Sequence, residues 1–167
     1  MPERSATIVT NTTPLLSLIA ATGDLALLSS LYARVIVPWE VAEEIRAGGV
    51  NGFGRAEFDQ AGLEVRQQPV AINTWLRNSL DRGEASVIQT ALDERLPLVC
   101  IDETVGRRVA RLNGLTLTGS MGILLKAWEN GYPVDIPASL ARMRAQGIWL
   151  SDTVIRFALD YIRRPGS

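Results

Sequence analysis

The sequence has no histidine, a single cysteine and a single lysine among its 167 residues. Without histidine, the Ser-His-Asp and Cys-His nucleophile systems, the usual zinc ligand sets and the commonest general base are excluded. Cys100 cannot form an internal disulfide, and its apolar neighbours indicate a small buried hydrophobe. Any chemistry must therefore use carboxylates, hydroxyls, arginine or water activated by a metal ion.

Long hydrophobic runs are also absent. Polar or charged residues interrupt every apolar stretch before the roughly 20 residues that a membrane span needs, and the N-terminus lacks a charged-then-apolar signal pattern. With 47% hydrophobic and 21% charged residues, the chain can bury a substantial core. We expect a single globular domain with no membrane association and a cytoplasmic location.

The charge balance does not by itself indicate a nucleic-acid-binding protein, because the net charge is -1. However, Arg107, Arg108 and Arg111 follow Asp102 closely. Arginine binds phosphate through two parallel hydrogen bonds, but it is also common on ordinary helix surfaces. Both interpretations of this cluster stay open.

Apolar runs of strand length alternate with segments of helical periodicity along the chain. The predicted strands are residues 6–10, 34–37, 63–66, 98–101 and 116–118. The predicted helices are residues 15–21, 25–31, 39–47, 75–80, 85–95, 104–113 and 121–130, followed by two amphipathic helices at 137–146 and 151–162. This alternation predicts an α/β fold, a three-layer α/β/α domain with a central parallel sheet.

The glycine-rich segment 48–54 is not a phosphate-binding loop. It follows a helix rather than a strand, and it has neither the terminal lysine nor the G-x-G-x-x-G pattern of such loops. We predict instead a mobile loop that could move over a nearby site.

Four short motifs place oxygen-bearing side chains where strands end or helices begin. They contain Asn11, Glu44, Glu84 and Asp102. Open parallel sheets bind ligands beyond the carboxyl ends of their strands, and Mg²⁺ or Mn²⁺ needs only a few oxygen ligands, which separate elements can supply. We therefore predict one metal site, although any single acid taken alone is more often a surface charge or a helix cap.

The motifs IVTNTTPLL, VPWEVAEEI, DRGEASVIQTAL, VCIDETVGRRVA and GLTLTGSMGILLKAWENG occur in this order between residues 8 and 131. Each is weak alone, but together they resemble the PIN-domain family, and more closely its VapC-like branch. The resemblance implies a PIN-like domain over residues 6–131, with residues 132–164 as a C-terminal helical extension of the same domain.

The resemblance further implies a metal-dependent endoribonuclease that uses Mg or Mn. By position, Asn11, Glu44, Glu84 and Asp102 would be the metal-binding and catalytic residues, although PIN nucleases usually have aspartate where this chain has Asn11. Glu43 is the alternative to Glu44, and Glu103 could assist Asp102. The candidate substrate-binding residues are Thr12, Thr13, Arg107, Arg108 and Ser120. Thr13 is at least as well suited to capping a helix that begins at Pro14.

Many PIN nucleases are toxins of toxin–antitoxin pairs, so the resemblance also implies RNA as substrate, a homodimer and a small antitoxin protein. The main alternative is a weak or inactive PIN-like module that binds RNA or a partner protein. A phosphoacceptor receiver domain shares the layered fold, but it needs acids at the end of the first strand and a lysine after the last strand. Here the first strand ends in Thr10 and Asn11, and Lys126 lies within a predicted helix.

Overall fold

The computed structural model describes residues 6–48 and 52–164 and contains a five-stranded, all-parallel sheet. Its order is β3-β2-β1-β4-β5. The strands are β1 (Thr7–Thr10), β2 (Arg34–Val37), β3 (Glu64–Val65), β4 (Leu98–Cys100) and β5 (Thr116–Thr118). Helices flank the sheet, so the predicted three-layer α/β/α architecture is confirmed.

The helices of the described residues occupy most of the intervening chain. They are α1 (Thr12–Thr22), α2 (Ala26–Leu31), α3 (Trp39–Arg46), α4 (Arg55–Ala61), α5 (Thr74–Ser79), α6 (Arg82–Asp93), α7 (Thr104–Leu112), α8 (Ser120–Glu129), α9 (Ile136–Ala145) and α10 (Asp152–Arg163). Across the described parts of the chain, none is long and apolar enough to cross a membrane.

The first strand lies at the centre of the sheet, with β2 on one side and β4 on the other. Ile8 and Val9 are fully buried, as expected for a parallel strand that is covered on both faces. The pairing continues past the end of β1, because the Asn11 backbone N–H donates to the Cys100 carbonyl at 3.1 Å. The chain therefore leaves β1 and β4 at the same edge of the sheet.

The C-terminal helices pack on the same core. Helix α9 packs against α1 and buries Ile136, Leu140 and Met143. The Arg142 Nε atom also donates to the Ala21 carbonyl at the last turn of α1, at 2.8 Å. Helix α10 packs against α8 and α9.

Helix α4 was not predicted from the sequence. Phe58 is its only buried residue, so the segment lacks the apolar periodicity by which a helix is recognised. The preceding Gly54 has a φ of +83°, which only glycine adopts without strain. Residues 49–51 of the predicted mobile loop lie outside the described residues, and its movement stays a prediction.

Candidate metal centre

The ends of three neighbouring strands bring polar residues to one edge of the sheet. Asn11 follows β1, Asp102 comes two residues after β4, and Ser120 comes two residues after β5. The backbone N–H of Ile101 donates to the Thr118 carbonyl at 3.1 Å, which keeps β4 and β5 paired up to this edge. In parallel sheets, this edge is where ligands bind.

Helix α6 begins at the same edge and brings two predicted residues together. A Cβ atom built at Gly83 would lie 2.9 Å from Glu44 Oε2 and 3.2 Å from Asn11 Oδ1. Both side chains therefore contact the first turn of α6 at a position that has room only for glycine. Asn11 reaches this place from β1, and Glu44 reaches it from α3.

Hydrogen bonds orient the acids on either side of α1. The Thr12 hydroxyl donates to Glu44 Oε2 at 3.0 Å, and the Thr13 hydroxyl donates to Glu103 Oε1 at 3.3 Å.

The prediction that Thr13 caps the helix is wrong, because α1 already begins at Thr12, with Asn11 at the N-cap position. The helix can start there because Pro14, which lacks a backbone N–H, still lies within its first turn.

A compact group of carboxylates surrounds Glu84. One carboxylate oxygen each of Asp81, Glu84 and Glu103 lies within 4.8 Å of the other two. Asp81 is the N-cap of α6 and accepts a hydrogen bond from the Glu84 backbone N–H at 2.8 Å. Glu103 is the N-cap residue of α7. These acids thus come from the first turn of one helix and the start of another.

The Glu84 carboxyl group is buried among other acids. Its side chain is 4% exposed, and Oε2 has no hydrogen-bond partner among the described residues. Burial, followed by the nearby carboxyls of Asp81 and Glu103, raises the pKa of Glu84 to about 9. A Cβ atom at Gly106 would collide with Glu84 Oε2, so glycine is what allows α7 to pack here.

Asp102 lies in a different arrangement at the end of β4. Its Oδ1 accepts from the Ser120 backbone N–H at 2.7 Å, and its Oδ2 accepts from the Ser120 hydroxyl at 2.9 Å. Burial raises the pKa of Asp102, while the two Ser120 hydrogen bonds and the Arg107 charge oppose that rise. Arg107 Nη1 itself donates to the Ile101 and Thr118 carbonyls at 2.7 and 3.3 Å.

The four predicted ligands therefore fall into three adjoining sets. Asn11 and Glu44 lie on either side of Gly83. Glu84 lies close to the carboxylates of Asp81 and Glu103. Asp102 accepts hydrogen bonds from Ser120. Of the other candidates, Glu43 and Arg108 are exposed.

Sequence reasoning missed Asp81 as part of the group. The pattern Asp81-Arg-Gly-Glu84 has the spacing of a capping box, which brings its first and fourth residues together. This spacing is the sequence feature that predicts that Asp81 lies close to Glu84.

The donor set fits a hard divalent cation. Asn11 Oδ1 and Glu84 Oε2 are buried side-chain oxygens without hydrogen-bond partners among the described residues. Glu84 also faces two further carboxylates. Oxygen ligands of this kind suit Mg²⁺ or Mn²⁺, and a cation would offset the repulsion between the acids.

Comparison with known proteins agrees with this geometry. A model of the family DUF3368, described as a PIN domain, matches residues 7–164. No curated protein matches the sequence. The family match includes the strand ends, the acidic residues around Glu84 and both C-terminal helices. The chain therefore belongs to the PIN-domain family.

Proposed function

We propose that this protein is a metal-dependent endoribonuclease that hydrolyses RNA phosphodiester bonds with Mg or Mn. The observation that carries the proposal is the buried Glu84 carboxyl group, which has one carboxylate oxygen each of Asp81 and Glu103 within 4.8 Å. PIN domains are a nuclease-type family that generally uses divalent metals. The absence of histidine fits this chemistry, because acid–base work at a metal centre does not require it.

The chain supplies ligands from both sides of the first turn of α6. Asp81, Glu84 and Glu103 would hold an ion on one side, while Asn11 and Glu44 extend the oxygen-rich surface on the other. When bound, such an ion lowers the pKa of the attacking water and neutralises charge on the phosphate. We include Asp102 among the proposed ligands as a further carboxylate at the end of β4, where the Ser120 backbone N–H and hydroxyl orient it.

The hydroxyl groups near these acids act chiefly as positioning groups. Thr12, Thr13 and Ser120 donate to Glu44, Glu103 and Asp102 respectively, so each hydroxyl fixes the orientation of one carboxylate.

The two neighbouring arginines differ in what they can offer the substrate. The Arg107 Nη1 atom already binds two backbone carbonyls and so stabilises the ends of β4 and β5. Arg108 is exposed on α7 and is the better placed of the two for a phosphate of the RNA backbone.

The test is cleavage of an end-labelled single-stranded RNA across a titration of Mg²⁺ and Mn²⁺. We expect Glu84→Gln and Asp102→Asn to abolish cleavage, because each removes a carboxylate charge from the site. Glu57→Gln, in the first turn of α4, is the matched control and should cleave like the wild type. Cleavage that survives Glu84→Gln would place the activity elsewhere.

Metal binding by the same variants, measured by Mn²⁺ electron paramagnetic resonance, separates the enzyme from the alternative. A protein that binds Mn²⁺ at Glu84 but leaves RNA intact would be a binding module for RNA or a protein. A protein that binds no Mn²⁺ would contradict the metal centre itself.

The proposal extends to the VapC-like branch, with this chain as a cytoplasmic toxin that forms a homodimer and is inhibited by a small antitoxin. Its support is the order of the five sequence motifs. We expect a small open reading frame beside the gene whose product co-purifies with this protein and inhibits RNA cleavage. Failure of the two products to associate would contradict the toxin assignment and leave the nuclease test unaffected.

A further inference from the structure

A cavity of about 500 Å³ opens at the start of α3, beside the candidate metal centre. It is lined by residues 69–72, Glu40, Arg77 and Arg82. Arg82 directly precedes Gly83, which contacts the Glu44 carboxylate. Glu40 lies four residues before Glu44 and so one helical turn away on the same face of α3. The cavity and the metal centre are therefore neighbours along both α3 and α6.

Glu40 lines this cavity, and its carboxylate is almost completely buried. Its side chain is 5% exposed, and Oε2 accepts from the Val70 backbone N–H at 3.0 Å. Oε1 is buried and has no hydrogen-bond partner among the described residues. A buried acceptor without a donor costs free energy. A ligand with N–H groups would offset that cost.

Two arginines line the same cavity. Within the described parts of the chain, neither Arg77 nor Arg82 forms a salt bridge. The Arg82 guanidinium carbon lies 5.3 Å from the centre of the Trp39 ring, and Arg77 makes only a 3.5 Å contact with the Ile72 carbonyl. Guanidinium groups bind phosphate well and disfavour a cationic ligand.

The remaining wall is apolar, since it consists of Pro69, Val70, Ala71 and Ile72. A fitting ligand thus has a flat or apolar body, a negative group for the arginines and neutral N–H donors for Glu40. A nucleotide combines these three properties, and the cavity has the volume of small-molecule sites. A basic side chain of a partner protein fits less well because of the two arginines.

We infer that this cavity binds one nucleotide of the RNA substrate and that Glu40 selects its base. Guanine suits Glu40 best, because its N1–H and N2–H donors are adjacent on one edge. Adenine and cytosine place an acceptor beside their amino group, and the N3–H of uracil lies between two carbonyl oxygens. The identification of the ligand as RNA rests on the proposed function, whereas the preference for guanine rests on Glu40.

The test is isothermal titration of the four nucleoside 5′-monophosphates in EDTA, so that neither metal nor cleavage enters the result. We expect the guanine nucleotide to bind roughly tenfold more tightly than the uracil nucleotide, as for other specific base contacts. Glu40→Gln should remove this difference, and Arg82→Ala should weaken all four nucleotides. Glu57→Gln and Arg156→Ala are matched controls, and both should bind like the wild type.

Equal affinities for the four nucleotides, no binding of any, or a guanine preference that survives Glu40→Gln would each overturn the inference. Tight binding of a tetra-arginine peptide that Glu40→Gln abolishes would also overturn it, and would identify the cavity as a protein-binding site. A guanine preference in a protein that does not cleave RNA would contradict the nuclease proposal while leaving the base-binding cavity in place.

Glu40 also accepts a hydrogen bond from the Val70 backbone N–H, so Glu40→Gln could alter the fold of this segment. A second variant therefore tests the cavity without changing Glu40. Ala71→Trp fills the cavity from an exposed position without removing a polar group. It should abolish binding of the guanine nucleotide and leave Mn²⁺ binding unchanged. Ala56→Trp, at an exposed position on α4, is the control and should change neither measurement. Unaltered nucleotide binding by Ala71→Trp would overturn the inference.

Discussion

Gly106 packs against the Glu84 carboxylate so closely that a Cβ atom at this position would collide with Oε2. Glu84 belongs to the first turn of α6, and Gly106 belongs to the first turn of α7. A residue that carries no functional group thus determines where the most buried acid of the metal centre can lie.

Gly106→Ala should displace the Glu84 carboxylate. We expect a loss of about 1 to 3 kcal/mol in the free energy of unfolding, because the added methyl group overpacks the contact, and a clear weakening of Mn²⁺ binding. Urea denaturation and Mn²⁺ titration measure the two effects. Gly122→Ala on α8 is the matched helical control for overpacking, since its added Cβ would lie 2.8 Å from Thr118 Oγ1 and away from Glu84, so it should leave Mn²⁺ binding unchanged. Unchanged Mn²⁺ binding in Gly106→Ala would contradict the role of Glu84.

The raised pKa of Glu84 predicts a pH-dependent stability. Between its usual pKa of 4.5 and its folded-state value of about 9, the folded protein keeps a proton on Glu84 that the unfolded chain releases. The metal-free protein should therefore lose stability as pH rises through this range, by at most about 1.4 kcal/mol per pH unit. Urea denaturation in EDTA measures this slope, and Glu84→Gln should flatten it. An equal slope in both proteins would refute the prediction.

Asn11→Asp should have opposite effects with and without metal. Asn11 Oδ1 is buried and has no hydrogen-bond partner within residues 6–48 and 52–164, and it lies near the Glu44 carboxylate beside Gly83. A new negative charge there should tighten Mn²⁺ binding, with a limit of about 4 kcal/mol for each unit of charge on the ion at ~4 Å and an effective dielectric of ~20. Without metal, the same charge should destabilise the fold by repulsion.

Calorimetric Mn²⁺ titration and thermal melting in EDTA measure the two effects of Asn11→Asp. Asn130→Asp, at the exposed end of α8, is the control for adding one charge and should change neither. Weaker Mn²⁺ binding in Asn11→Asp than in the wild type would argue that Asn11 is not a ligand.

The loop between α9 and α10 should contribute to the proposed homodimer. Trp149 is 84% exposed there, and Phe157 on α10 is 52% exposed. Large aromatic residues are enriched where protein surfaces meet. We expect Trp149→Ser to raise the dimer dissociation constant at least about tenfold, since such anchors contribute more than about 1.4 kcal/mol. Sedimentation equilibrium measures this constant.

Leu112→Ser is the control for loss of a single exposed apolar side chain, because Leu112 lies on α7 and is 72% exposed. Its dissociation constant should equal that of the wild type. A monomeric wild type at high concentration would exclude the dimer.

The parallel sheet was predictable because its apolar runs and intervening helices follow a simple alternation along the chain. That pattern also predicted that Asn11 and Asp102 follow strands. It could not predict that Asp102 accepts hydrogen bonds from Ser120, because these bonds depend on the distance between the ends of β4 and β5. Side-chain partners between elements depend on packing in three dimensions, which local periodicity does not encode.

The same limit explains the missed residues at the metal centre. The sequence places Asp81 just before a predicted helix, but it does not reveal that Asp81 lies close to Glu103, which is far away along the chain. Nothing in the sequence distinguishes Glu40 from an ordinary surface acid. A glutamate in the first turn of a helix usually needs no further explanation, and only burial by the segment around Val70 makes it unusual.

The adjacent hydroxyls of Thr12 and Thr13 connect the first turn of α1 to two acids, one on α3 and one just before α7. Successive residues of a helix point in directions about 100° apart, so one turn reaches Glu44 on α3 and Glu103 outside α7 at once. The last turn of α1 is held by Arg142 of α9. A displacement of this single helix would therefore release both carboxylates together, and the two acids would gain or lose their orientation as one unit.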